Sequence, residues 1–210
     1  MGCDIHVYAE KRLFPDRDRS KPGVWTSIDK WTVSEDKILY PEDYEDYPEM
    51  EIAYGDAFYS GRNYLLFYIL AGVRGYDEWG PRIADPKGTP GDSCKQIKQE
   101  VERWKCDAHS HSYLTLSDLL SFDWNAKIKD ETTVLDKKAE PMIAKVDPED
   151  LISHEKEERG GHTLHRIRYM RPYKDFFPKF MDTIARMNEQ INTRLNETTD
   201  DIRLVFFFDN

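Results

Sequence analysis

The sequence predicts an α+β domain, with an antiparallel or mixed sheet that includes both terminal strands and helices packed on one side. Three observations predict it. Residues 3–11 alternate, with Cys3, Ile5, Val7 and Ala9 on one face and Asp4, His6, Tyr8 and Glu10 on the other, the period-two pattern of a half-buried strand. Residues 201–210 (DIRLVFFFDN) are apolar on both faces, as a strand in the middle of its sheet must be. Before them, Phe177, Phe180, Met181, Ile184, Asn188, Ile191 and Leu195 recur at three and four, the spacing of an amphipathic helix over 177–195. Pro178 falls in its first turn, where a missing N–H costs nothing. A length of 210 residues, 39% of them hydrophobic and 13% aromatic, is consistent with one domain over 1–210 and a real core.

The intervening elements follow in order. Lys11–Pro22 reads as a loop, 24–33 as a second strand, and the Tyr- and acid-rich 40–59 as a long ordered loop or lid. Tyr64–Ala71 (YLLFYILA) is a short buried helix between an Asn63 N-cap and a Gly72 C-cap. Residues 75–91, rich in Gly and Pro, form a loop. Ser93 and Gln96 make a capping-box pattern for a helix whose inner face is Cys94, Ile97, Val101 and Trp104. Thr115 caps a further short helix with Leu116, Leu119 and Leu120 facing inward. The charged stretch 125–160 suggests only a short strand at 142–146, whereas 162–170 reads as a strand with His165, Ile167 and Tyr169 on one side.

Charge and cysteines narrow the function classes. A net charge of −10 argues against generic nucleic-acid binding, which relies on a basic surface that releases counterions. Cys3, Cys94 and Cys106 have no disulfide-framework spacing, no apolar leader follows the start, and no run is long enough to span a membrane. A cytoplasmic protein is expected, so the sequon at Asn196 carries no glycan. The opening Met1-Gly2-Cys3 has His6 where an acylation signal needs Ser or Thr. Phosphate loops, GxSxG elbows, GxGxxG fingerprints and HExxH helices do not occur.

The chemistry is expected from two segments. In an extended chain Asp107, His109 and His111 (CDAHSHS) share one side, as do Asp4 and His6 in the first strand. Together they offer oxygen and nitrogen ligands for a divalent metal ion, zinc or manganese, with room for a water whose pKa the ion would lower. Tyr8, Glu10 and Asp209 are candidate acid–base groups beside it. The echo CDxH also permits a closed structural zinc site from Cys3, His6, Cys106 and His109, which needs a turn at both segments. His154, His162 and His165 are spare histidines that could complete a metal set. Arg62, Arg74 and Arg82, around a Tyr-rich loop, are candidate anion contacts. The bland counterparts are a histidine bonded to a backbone carbonyl, an aspartate capping a turn, and arginines paired with surface carboxylates.

Two resemblances add to this. Asp107, His109, His111 and Ser112 form DxHxHS, which resembles the first motif of the PHP metallophosphoesterases; there the motif ends a first strand and later His, Glu and Asp residues complete a metal cluster, whereas here it lies mid-chain. More of the chain is similar to an uncharacterised family of phage and bacterial proteins that open with MGCDIH (Met1 to His6), carry GRNY…LF…LAGVRG (Gly61 to Gly75) and HSHSxLTL (His109 to Leu116), and close with FFFDN (Phe206 to Asn210). That resemblance implies a bacterial cell or phage-infected host and brings no activity with it. Two functions are expected: a metal-dependent hydrolase of phosphoester or nucleotide substrates, or a non-enzymatic phage accessory protein that binds a small anionic ligand or a host protein.

Overall fold

The structure is a computed structural model that describes residues 2–45, 47–53 and 55–209. Met1 and Asn210 of the terminal motifs, and Asp46 and Tyr54 of the expected 40–59 loop, lie outside the described residues. The regular elements in chain order are β1 (Asp4–Leu13), β2 (Val24–Ser27), β3 (Trp31–Val33), α1 (Glu35–Leu39), β4 (Met50–Ile52), α2 (Tyr64–Ala71), α3 (Lys95–Trp104), β5 (His109–Thr115) and α4 (Leu116–Ser121). They continue with β6 (Lys127–Leu135), α5 (Asp136–Ile143), β7 (Leu151–Arg159), β8 (His162–Pro172), α6 (Tyr173–Phe176), α7 (Pro178–Glu189) and β9 (Ile202–Asp209). Two compact units result, Met1–Phe122 with Lys179–Asn210, and Asp123–Pro178.

The first unit is built on a four-stranded antiparallel sheet of order β2-β1-β9-β5. Both terminal strands are in it, and β9 lies between β1 and β5, as its apolar faces require. Phe207 and Phe208 point to opposite faces. Ile97 of α3 clusters with Tyr8, Val205 and Phe207, while Phe67 of α2 sits with its ring 5.1 Å from Phe208. Helices therefore cover both faces rather than the expected one, because a strand with two apolar faces leaves one wet unless each is covered. Full burial of a phenylalanine contributes about 1.5–3 kcal/mol, and Phe206, Phe207 and Phe208 are all buried.

Helix α2 forms where the punctuation placed it. Asn63 Oδ1 accepts the Leu66 N–H at 3.2 Å, and Gly72 closes the helix in the left-handed region at φ 69°. Gly75 has a steric reason too, since a Cβ there would lie 2.4 Å from Cβ of Tyr68.

Several expected boundaries move. The strand at 24–33 is two strands in different sheets, β2 beside β1 and β3 beside β4, because Asp29 turns the chain by accepting from the Ala9 N–H and Ser27 Oγ, each at 2.9 Å. Strand β4 also interrupts the expected 40–59 loop. Helix α3 starts one residue late, with Cys94 at the N-cap. Its N–H is drawn to Glu10 Oε1 at 2.6 Å, which displaces the Ser93 box. Helix α4 has its Thr115–Asp118 capping box, but Leu120 faces out, half exposed. Helix α7 ends at Glu189, not 195, and Met187 takes the buried position expected of Asn188.

The second unit is a three-stranded antiparallel sheet of order β6-β8-β7. His165, Ile167 and Tyr169 share the buried side of β8 as expected. The strand expected at 142–146 is instead the end of α5 and a turn, with Val146 N–H bonded to Ile143 O at 3.0 Å. A short apolar run does not distinguish helix from strand.

Two buried carboxylates give opposite pH responses. Burial pushes Asp29 up to about 6, against the opposing pull of its bonds to Ala9 and Ser27. Between the unfolded-state value near 3.9 and about 6 the folded state holds the extra proton, so the stability due to Asp29 falls as pH rises through that window. Asp29→Asn is expected to gain about 2 kcal/mol relative to wild type between pH 4 and pH 8 in denaturant unfolding; a pH-independent difference would contradict this. At Asp201 burial also acts upward, yet bonds from Arg19, Thr198 and Arg12 hold it down at about 2. Its contribution is complete above the unfolded-state value and disappears as pH falls toward about 2. Because Arg12 and Arg19 are each about a third exposed, screening reduces that contribution to about 1 kcal/mol, and Asp201→Asn should remove this acid dependence from an unfolding titration.

Candidate functional site

The paired ends of β1 and β9 build the site. Their register sets Asp4 opposite Asp209, His6 opposite Phe207 and Tyr8 opposite Val205, so Asp4, His6, Tyr8 and Asp209 come to one face. Asp209 is fixed by both oxygens: Oδ1 accepts the Asp4 N–H at 2.9 Å, and Oδ2 lies 3.1 Å from His6 Nε2. The imidazole is stacked on Phe207 at 4.8 Å, and Trp104 contacts it at 4.2 Å with its ring tilted by 45°. One turn back on α3, Glu100 accepts from Tyr8 Oη at 3.1 Å and lies 3.5 Å from Arg103.

These groups line a cleft of about 780 Å³ within the first unit. Trp31, stacked on Tyr8 at 5.9 Å, forms an aromatic wall. Arg62 reaches Asp4 through two contacts, Nε to Oδ1 at 2.6 Å and Nη2 to Oδ2. Lys179, at the start of α7, also lines the cleft and is exposed. The electrostatics separate the carboxyls. Burial raises Glu100 despite the opposing Arg103 charge, whereas the hydrogen bond from Arg62 lowers Asp4. Tyr8 is pushed well up by burial and then by the Glu100 charge, so its phenol stays protonated.

Not every expected residue reaches this cleft. No family, curated protein or solved structure matches the chain. Asp107 is in a 3₁₀ turn before β5, exposed, and lines a different cleft with Tyr47 and Lys105. His109 and His111 are not cofacial. Ser110 adopts φ 50° and the β5–β9 register shifts between His109 and Ser112, so the His109 ring lies against Phe208 and that of His111 against Phe207, on opposite sides of the sheet. Burial lowers His111, and its Nε2, like that of His109, is buried without a hydrogen-bond partner among the described residues.

Glu10 shares the face of His6 but is fully buried and paired with Arg203 at 2.8 Å, which removes it from the cleft. Arg62 and Arg82 line separate clefts, Arg82 pairing with Asp85, and Arg74 lies by the Cys3 thiol. The three arginines thus do not form one anion patch. Cys3 is buried and Cys106 exposed. Among the described residues no three His, Cys, Asp or Glu side chains converge to hold a metal ion, so neither expected ligand set is assembled. No helix among them is long and apolar enough to cross a membrane.

Glu100, Arg103, Trp104 and Lys179 were not expected at the site. For Glu100 a signal existed. It falls between Ile97 and Trp104 on the inner face of α3, where a carboxylate is out of place unless it has a partner.

Proposed function

We propose that the chain is a hydrolase of small anionic esters, phosphoesters among them, that works by general acid–base catalysis in the β1–β9 cleft. The observation that carries this is the His6–Asp209 contact at 3.1 Å at the cleft wall. Asp209 as acceptor keeps the imidazole proton on Nε2 and leaves a lone pair on Nδ1, the arrangement of a general base toward water. Glu100, kept protonated to higher pH by burial, supplies the acid for the leaving oxygen. Arg62 and Arg103 are paired with Asp4 and Glu100, so the cation at the cleft that favours an anionic substrate is the exposed Lys179.

The test is a panel of chromogenic phosphomonoesters, phosphodiesters, nucleotides and carboxylic esters, assayed with wild type and His6→Gln. Turnover that the variant loses supports the hydrolase with His6 in the site; turnover equal in both rejects His6 as the base, and no turnover of any ester rejects the hydrolase. The assay is repeated after chelation. Activity that survives assigns the base to His6, and activity lost on chelation and restored by zinc or manganese assigns it to a metal-bound water. Saturable binding of a phosphoester without turnover would favour the second reading, a ligand-binding accessory protein, for which the exposed Lys179 at the cleft is the supporting feature.

A further inference from the structure

The second unit contains a relay of three titratable side chains that the β1–β9 cleft does not use. His165 is 3% exposed. Its Nε2 lies 2.8 Å from Asp136 Oδ1 and its Nδ1 lies 2.7 Å from His154 Nε2. The β7–β8 register explains the contact, because His154 pairs with Ile167 and is thus diagonal to His165 on the same face. Asp136 opens α5, which packs on β8. A carboxylate accepting from Nε2–H obliges His165 to present its Nδ1 lone pair toward His154.

We propose that His154 Nε2 and His165 Nδ1 form a two-imidazole site for a borderline divalent cation such as Zn(II), with Asp136 as the residue that orients His165. Imidazole nitrogen suits such ions, and a ligating histidine characteristically donates its other N–H to a carboxylate. A nitrogen–nitrogen distance of 2.7 Å requires a proton between the two rings. For it to be replaced by the ion, His154 shifts its proton from Nε2 to Nδ1, a tautomer change that loses no proton overall. The nitrogens must then part from 2.7 Å to about 3.3 Å, the edge of a tetrahedron with Zn–N near 2.0–2.1 Å. His154 makes that adjustment, since it is exposed and β7 is an edge strand. Water completes the coordination.

The neighbouring charges are few. From α5 comes Asp136; from β7, Lys156 pairs with His165 in register and is exposed; β6 places the uncharged Val134 opposite His165. Protonation of the imidazoles competes with the ion, so affinity falls as pH is lowered.

Equilibrium dialysis of the full chain against micromolar zinc chloride in a non-chelating buffer tests the site. One zinc per chain is expected, lost in His154→Ala, weakened about 10- to 100-fold in Asp136→Asn, and retained in His6→Gln. Exposed positions were chosen for the first two variants so that circular dichroism can certify an unchanged fold. No zinc bound by wild type, or zinc retained by a folded His154→Ala, overturns the site. Either result leaves the β1–β9 hydrolase standing, because that cleft contains neither histidine.

Discussion

Arg203→Met is expected to lower the unfolding free energy by about 3–5 kcal/mol, the cost of leaving a buried charge without its partner. Arg203 lies opposite Glu10 in the β1–β9 ladder, and its Nε contacts Glu10 Oε2 at 2.8 Å. The Glu10 side chain is wholly buried and that of Arg203 is 5% exposed. The guanidinium also bonds Asp92 at 2.9 Å and lies 3.9 Å from the Trp25 ring. Glu10 in turn holds the N-terminus of α3 through the Cys94 N–H. Removal of the cation strands a carboxylate in the centre of the sheet, far from compensating water. Urea unfolding measures the loss, with an unchanged m-value indicating the same cooperative transition. The double variant Glu10→Gln/Arg203→Met should recover much of it, because it removes both charges. A loss below about 1 kcal/mol for Arg203→Met would place the pair among ordinary surface ion pairs.

His6→Gln is expected to lower kcat/KM by about 10²- to 10⁴-fold on any ester the protein turns over, the usual contribution of a positioned general base. Gln retains a donor toward Asp209 and comparable volume between Phe207 and Trp104, so the fold should be unchanged and the loss should fall on kcat. Asp209→Asn leaves the imidazole in place but replaces one of the two acceptor oxygens that face the Asp4 N–H and the His6 ring by an NH2 donor and removes the charge, and a smaller loss in the same parameter follows. Glu100→Gln removes the acid and should abolish the alkaline limb of the pH–rate profile, which burial moves upward. If His6→Gln changes only KM, the imidazole binds substrate and does not take its proton.

The parts of the fold that were legible from sequence are those with a strong period or a local cap. β1 and β9 announced themselves by alternation and by two apolar faces, α2 by Asn63 and Gly72, and α4 by Thr115 and Asp118. The illegible parts have weak or mixed patterns. β6 does alternate between exposed and half-buried positions, but polar Asp130 and Thr132 share its half-buried side with Ile128 and Val134, and β7 is exposed at all but one position, so neither strand carries the apolar alternation that marks a half-buried one, and both pair with β8. The split of 24–33 depended on Asp29 finding Ala9, a contact between residues 20 apart in sequence.

For the site, the sequence by itself determined that Asp4, His6 and Tyr8 share a face, because strand geometry alternates every residue, and that Asp209 ends a strand. Only the tertiary structure decided what those residues meet. Antiparallel pairing brought Asp209 to His6 across 203 residues, and packing of α3 brought Glu100 to Tyr8. A single left-handed residue, Ser110, turned the apparently cofacial His109 and His111 to opposite sides of the sheet. Period-two inference holds only while the backbone stays extended, and one positive φ within the strand reverses everything beyond it.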